Sequence, residues 1–321
     1  MIAVTPPDVF GPLPPGTVSV VSVVNLSCRA LPRRGEGLAD HLHAVLAHPA
    51  GPAGGLPLSL AESRPVDAAD GLRVLAVIYD LHLAPLDDMG RAVDWQHEPA
   101  IAALRIRLEA AYEAALDRRA HRILDEAGIV CDDDPVAAVR ALAAVDRVPV
   151  VYDWLAECAT WAQFVEFAEL EGGPDDSFDD LVAICQIGLP AQPKLELARN
   201  YWDELGNGRQ FLVHRELHRR LSDVAGLESR SRVELDEPAL ARSVLGPFLA
   251  TNRRLQPEMV GALGMVELQA GPRCRRVVRA LERLDAPSAA IPFYEEHAVA
   301  DPRHGKDWLD NAIGPLAGRG W

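Results

Sequence analysis

The 321-residue chain lacks several features that would assign it to a common class of protein. It has no stretch of about 18 consecutive apolar residues, the length that a transmembrane helix requires. Basic residues are scarce, because 32 Lys and Arg stand against 47 Asp and Glu and give a net charge of −15. Nucleic acids and anionic membrane surfaces are bound through basic faces. We therefore expect neither a nucleic-acid partner nor a membrane partner.

Cysteine is also sparse. The five cysteines are scattered and form no CxxC pair. An odd number without paired spacing argues against a disulfide framework and against a cysteine zinc site. The first residues also lack the basic start and apolar run of a secretory signal. These absences predict a cytoplasmic protein in a reducing environment.

The common catalytic motifs are missing as well. No GxSxG, GxGxxG or GxxxxGK[ST] pattern occurs, which disfavours a serine hydrolase, a Rossmann dehydrogenase and a P-loop enzyme. The segment from His214 to His218 has a superficial likeness to a metalloprotease helix. Its carboxylate, Glu216, neither directly follows the first histidine nor directly precedes the second, so this interpretation fails.

What the sequence does have is helical periodicity. Hydrophobic residues make up 49% of the chain, and after the first 75 residues they recur mostly at three-to-four spacing. This pattern predicts an all-α bundle. Residues 1–75 are rich in Pro and Gly and are predicted to form an N-terminal extension packed on a helical domain of residues 76–321. Within the extension, 18–26 could be a strand or an extended strap, and 39–46 a short helix.

Capping residues and prolines suggest where the later helices begin. The predicted helices start at Pro99 and Pro135 and then cover 153–170, 177–187, 193–221 with an interruption at 206–208, 237–250, 257–270, 275–284 and 288–304.

The last of these helices carries the pattern His297-x3-Asp301-x2-His304. At 3.6 residues per turn these three side chains share one face and span about 10 Å along the axis. That span suits two metal ions better than one, and imidazole with carboxylate favours Fe, Mn or Zn. The alternative is that they are ordinary surface or core residues. Pro302 lies between the last two, so either the helix bends there or the triplet spans a helix end.

A second pattern joins Glu204 to His214 across a glycine-containing segment. On an ideal helix these residues would lie about 15 Å apart and about 80° out of phase. Gly206 and Gly208 lie between them, and glycine is where a helix unwinds most cheaply. The alternative is that Glu204 is a surface carboxylate and that Gly206 ends the helix.

The third pattern is a lone carboxylate, Glu267, on an otherwise apolar stretch of helix. A buried carboxylate needs a cation, a hydrogen-bond partner or a proton. The alternative is that Glu267 faces solvent.

In this order the three patterns resemble the heme-oxygenase-like diiron oxidases, which are also described as iron-containing redox enzymes. The resemblance covers about residues 150–310 and includes the run Asn200-Tyr201-Trp202-Asp203-Glu204-Leu205-Gly206-Asn207-Gly208. It implies a heme-oxygenase-like helical bundle without heme. The metal ligands that it implies are Glu204, His214, Glu267, His297, Asp301 and His304. Some members have an additional carboxylate ligand, for which Glu171 and Asp179 are candidates, with a solvated acidic loop as the alternative.

The resemblance also implies an activity. Such a site holds two Fe(II) ions and uses O2 as co-substrate to oxidise a small amine- or amino-acid-type metabolite in a biosynthetic pathway. N-oxygenation is the favoured outcome and oxidative C–C cleavage the next. An external electron donor and a homodimer are further expectations. Arg199 and Arg209 could hold a substrate carboxylate or form surface ion pairs. The competing hypothesis is a non-catalytic metal- or cofactor-binding helical protein on the same fold.

Overall fold

The computed structural model describes residues 37–47, 59–130, 134–171, 178–227 and 235–319. Every regular element in these segments is helical, which confirms the predicted all-α class. The predicted strand or strap at 18–26 lies outside the described residues. Much of the predicted extension, residues 1–75, does as well, so that boundary stays a prediction. Within the described segments, no helix is both long and apolar enough to cross a membrane.

The α-helices are α1 (Leu38–Leu46), α2 (Ser59–Glu62), α3 (Ala68–Leu83), α4 (Leu86–Met89), α5 (Pro99–Ala127), α6 (Pro135–Val145), α7 (Val150–Glu157), α8 (Trp161–Glu171), α9 (Phe178–Cys185), α10 (Ala191–Glu204), α11 (His214–Ala225), α12 (Glu237–Thr251), α13 (Gln256–Arg283), α14 (Pro292–Trp308) and α15 (Gly314–Ala317). A π-helical turn, Leu309–Ile313, follows α14.

Two of the predicted boundaries are wrong. The predicted helix over 153–170 is two helices, α7 and α8, because Thr160 and Gln163 exchange hydrogen bonds that start a new helix. The predicted helices over 257–270 and 275–284 are the single helix α13, which runs through Pro272. An interior proline removes one backbone hydrogen bond, but residues of α13 are buried on both sides of Pro272, among them Leu263 and Val277.

The described residues form two compact units, the first of which lies within 1–121 and 232–248. In this unit α1 is anchored to α3, because the buried Asp70 carboxylate accepts hydrogen bonds from the backbone N–H groups of Leu38 (2.9 Å) and Ala39 (3.1 Å). On α5, the Tyr112 hydroxyl donates to the Ala241 carbonyl at 2.9 Å and its ring packs edge-on against Phe248. In this unit the buried polar groups of Asp70 and Tyr112 are therefore satisfied beside an apolar core.

The second unit comprises 122–231 and 249–321, and its central pair of helices is α13 and α14. Small residues allow these helices to approach closely. A Cβ added at Gly305 of α14 would come within 2.8 Å of the Leu268 backbone on α13, and one at Gly271 within 2.7 Å of Pro302. The close approach brings the polar side chains of α13 and α14 together in the interior of the unit.

Candidate metal centre

The first part of the site depends on a sharp turn between α10 and α11. Helix α10 ends at Glu204, and the next residues take left-handed φ angles of 62° at Gly206, 53° at Asn207 and 78° at Gly208. A Cβ at Gly206 would lie 2.5 Å from the carbonyl carbon of Leu212, so this position requires glycine. The helix is therefore broken where the glycine pattern predicts.

The turn brings Glu204 and His214 into contact. His214 is the first residue of α11, and its Nδ1 lies 2.6 Å from Oε2 of Glu204. An unbroken helix would have placed these residues about 15 Å apart. Both side chains are buried.

His297 of α14 completes a first group, which we call the first triad: Glu204, His214 and His297. One potential ligand atom from each residue lies within 4.8 Å of those of the other two. The His297 Nδ1–H donates to the Phe293 carbonyl at 2.6 Å, which leaves the Nε2 lone pair free to bind a metal. The His214 and His297 rings lie 4.6 Å apart between centroids.

The second triad consists of Glu267 of α13 with Asp301 and His304 of α14, all buried. Nδ1 of His304 lies 3.5 Å from Oε2 of Glu267 and 4.0 Å from Oδ1 of Asp301. All six predicted ligands thus fall into two neighbouring groups of three. The triplet on α14 is divided between them, with one residue in the first triad and two in the second.

The charges in the site favour a cation. Burial raises the pKa of Asp301 to about 10, with further upward contributions from the carboxylates Glu267, Glu204 and Glu296. Burial also disfavours the charged form of His304, but Glu267 and Asp203 more than offset it and raise its pKa. Burial and the neighbouring His214 lower the pKa of His297. Without a cation, protons must neutralise this crowding of carboxylates.

Unsatisfied buried atoms give the same indication. Among the described residues, Nδ1 of His214, Oε2 of Glu267 and Nδ1 of His304 have no hydrogen-bond partner. The short contact between His214 and Glu204 lacks hydrogen-bond geometry despite its 2.6 Å length. Buried polar atoms without partners are rare in native proteins and indicate a site for an ion or water. Nitrogen and carboxylate oxygen atoms in this arrangement fit iron, manganese or zinc.

Two residues of α10 that contact the candidate ligands were missed by the sequence analysis. The side-chain amide of Asn200 donates to Oε1 of Glu267 at 2.7 Å, and Asp203 Oδ2 lies 2.8 Å from Nε2 of His304. Both lie on α10, close in sequence to Glu204. The spacing of Asn200 and Glu204, four residues on one helix, could have placed Asn200 on the site-facing side.

The other candidates lie outside the two triads. The Glu171 carboxylate accepts hydrogen bonds from the hydroxyls of Tyr152 (2.5 Å) and Tyr294 (3.2 Å). Asp179 forms an ion pair with Arg215 at 3.0 Å. An additional carboxylate ligand therefore stays a prediction. Arg199 is largely exposed and pairs with Glu196 at 2.8 Å, as expected for a surface ion pair.

The protonated state of Asp301 predicts an unusual pH dependence of stability. Because folding raises its pKa from 3.8 to about 10, the metal-free folded protein holds a proton that the unfolded chain releases. Its contribution to stability is complete at low pH and is lost as pH rises through this window, by up to about 1.4 kcal/mol per pH unit. In Asp301→Asn, which cannot ionise, the slope should be shallower. Urea unfolding with chelator at pH 6, 7 and 8 measures both slopes, and equal slopes would contradict the assignment.

Comparison with known proteins agrees with the site. A family model described as iron-containing redox enzyme matches residues 166–320, a range that contains both triads. None of the curated proteins compared with the chain matches it. The resemblance noted from the sequence is confirmed: residues 166–320 match the model of the iron-containing redox enzyme family.

Proposed function

We propose that this protein is a non-heme diiron oxidoreductase that uses O2 to oxidise a small amine- or amino-acid-type metabolite. The observation that carries the proposal is the pair of triads, five of whose six residues are buried, each of which can offer three nitrogen or carboxylate ligands to one ion. The family assignment supports iron as the metal. Two adjacent iron positions would together supply two electrons to O2, one from each ion.

The two triads would hold the ions differently. The first triad offers two imidazoles and one carboxylate, and the second offers two carboxylates and one imidazole. Bound iron would supply electrons for the reduction of O2. Glu204 and Glu267 lie in neighbouring triads, and both act electrostatically on Asp301. Glu204 would help to hold the ion of the first triad, and Glu267 that of the second.

The protein itself excludes water from the site and holds a proton on one of the candidate ligands. Five of the six ligand candidates are buried: Glu204, His214, Glu267, Asp301 and His304. Burial excludes water from the reacting groups and strengthens the charge interactions between them. The Asp301 carboxyl holds a proton that metal binding would displace.

Charge favours a cationic substrate group. Glu296 is exposed at the edge of the site and acts electrostatically on both His214 and Asp301. An ammonium group would be attracted to this acidic edge, in keeping with an amine or amino acid. N-oxygenation is the reaction that we propose, and oxidative C–C cleavage is the second candidate. An external electron donor, a biosynthetic role and a homodimer belong to the same proposal.

Anaerobic titration with Fe(II), followed by mixing with O2-saturated buffer, tests this function. We expect two irons per chain and rapid O2 consumption with a transient visible absorption that reaches its full amplitude only when both positions are filled. A panel of amines and amino acids should contain compounds that shorten the lifetime of the transient. Binding of one iron or none, or two irons without O2 consumption, would contradict the proposal and support a non-catalytic binding protein.

A further inference from the structure

Asp203 lies immediately before a ligand candidate but points to a different triad. It is the penultimate residue of α10, and its Oδ2 lies 2.8 Å from Nε2 of His304 on α14. Its side chain is 17% exposed, whereas that of His304 is 6% exposed. The Asp203 carboxylate therefore holds the outer nitrogen of the ring while the inner nitrogen faces Glu267 and Asp301.

The surrounding donors show which ring nitrogen carries the proton. Nη2 of Arg303 lies 3.0 Å from the same Asp203 oxygen and 3.1 Å from Nε2 of His304. A guanidinium group has no acceptor atom, so it cannot receive a proton from the ring. If Nε2 lacked a proton, its lone pair would face a carboxylate oxygen at 2.8 Å. The consistent arrangement is an Nε2–H that donates to Asp203, with Arg303 donating to the same oxygen.

The inner nitrogen then has a defined role. Nδ1 of His304 is buried and has no hydrogen-bond partner among the described residues, although Glu267 lies 3.5 Å away. A metal-ligating histidine commonly donates its other N–H to a carboxylate, which fixes the ring orientation and increases the basicity of the ligating nitrogen. This pattern differs from that of His297, where a backbone carbonyl holds Nδ1 and leaves Nε2 free.

We propose that Asp203 is a positioning residue that fixes the tautomer and orientation of His304, so that its Nδ1 is the metal-binding atom of the second triad. This inference rests on the proposed metal site. A carboxylate at the end of α10 thus serves the second triad while its neighbour Glu204 serves the first. The side chain of Asn207 in the following turn also hydrogen-bonds to Asp203 and supports its position.

The test compares Asp203→Ala and Asp203→Asn with a matched control in the full chain. Loss of a group that hydrogen-bonds to a metal-ligating histidine lowers metal affinity about 10- to 100-fold. Zn(II) titration against a chromophoric chelator should show two sites in the wild type and such a loss at one site in Asp203→Ala. Asp203→Asn keeps an oxygen acceptor and should recover much of that loss. Glu196→Gln should change neither site, because this buried carboxylate of α10 pairs with Arg199 and Asn311.

Nitrogen-15 NMR of histidine-labelled protein supplies a readout that a merely structural role would not move. In the zinc-loaded wild type, His304 should show a protonated Nε2 and a metal-shifted Nδ1, assigned by comparison with His304→Gln. Asp203→Ala should lose the slowly exchanging Nε2–H or bind zinc through Nε2 instead. An unchanged His304 spectrum in Asp203→Ala, or equal affinity losses in the Ala and Asn variants, would overturn the inference.

The same spectra separate this inference from the proposed function. If the wild type bound fewer than two metals, the diiron proposal would fail. The metal-free wild type would still report on Asp203. A protected Nε2–H on His304 that disappears in Asp203→Ala would support the positioning role, and its absence from the wild type would overturn it.

Discussion

Replacing Glu267 by Gln is expected to remove most of the bound iron while leaving the fold intact. Glu267 offers a buried oxygen without a hydrogen-bond partner among the described residues to the second triad. An amide offers no charge to the ion. The loss of metal affinity should therefore exceed the roughly 10- to 100-fold loss that follows removal of a residue that only hydrogen-bonds to a metal ligand. The same change relieves the repulsion that helps to raise the pKa of Asp301. The metal-free variant should therefore melt at or above the wild-type temperature.

Iron analysis after anaerobic loading, together with thermal unfolding by circular dichroism, measures both effects. His297→Ala should likewise lose most of its iron, through the first triad. His218→Ala is the matched control, because this histidine lies on α11 with His214 but packs against the Phe293 ring and belongs to neither triad. Two irons per chain in Glu267→Gln or His297→Ala would refute the ligand assignment, as would loss of iron in His218→Ala.

Gly305→Ala is expected to have the second large effect, this time on the fold of the site. The added Cβ would lie 2.8 Å from both N and Cα of Leu268, next to Glu267 on α13. Backbone atoms cannot move aside as a flexible side chain does, so α13 and α14 must separate locally. Overpacking of this kind costs about 1–3 kcal/mol. The shift would also displace Asp301 and His304 relative to Glu267 and weaken metal binding by the second triad.

Gly261→Ala on α13 is the control for this prediction. A Cβ at Gly261 would meet nothing within 4 Å. Because glycine inside a helix is less favourable than alanine, this variant should gain roughly 0.5–1 kcal/mol. Urea unfolding of both variants measures the change in stability, and iron analysis measures the number of irons bound per chain. Equal stability of the two variants would show that α13 and α14 are not held at the close distance described.

The fold class and the common helix face of three candidate ligands could be predicted because they depend on local periodicity, whereas the division of the six candidates into two triads could not. The spacing of His297, Asp301 and His304 fixes their common face whatever surrounds the helix. The glycines at 206 and 208 likewise predicted a break, and the structure shows left-handed backbone there. The distance between Glu204 at the end of α10 and His214 at the start of α11 could not be predicted, because it depends on the packing of α11 against α14.

The hydrogen bonds from Asp203 and Asn200 to the candidate ligands could not be predicted either, because they also depend on how the helices pack. Asp203 contacts a residue 101 positions further along the chain, and Asn200 one 67 positions away. Neither partner can be inferred without knowing which helices are neighbours. The division of 153–170 into two helices was also missed. The side chains of Thr160 and Gln163 each accept a hydrogen bond from the backbone N–H of the other, and these bonds replace those of a continuous helix.

Helix α14 supplies ligands to both triads, His297 to one and Asp301 with His304 to the other. Any ion that fixes the position of this helix therefore orders part of the second binding site before the second ion arrives. The part of the positioning of α14 that the first ion achieves need not be repeated for the second, which would be a source of positive cooperativity without direct contact between the ions. Loading of one triad should accordingly favour loading of the other, so that metal binding rises more steeply with free metal than two independent sites would allow.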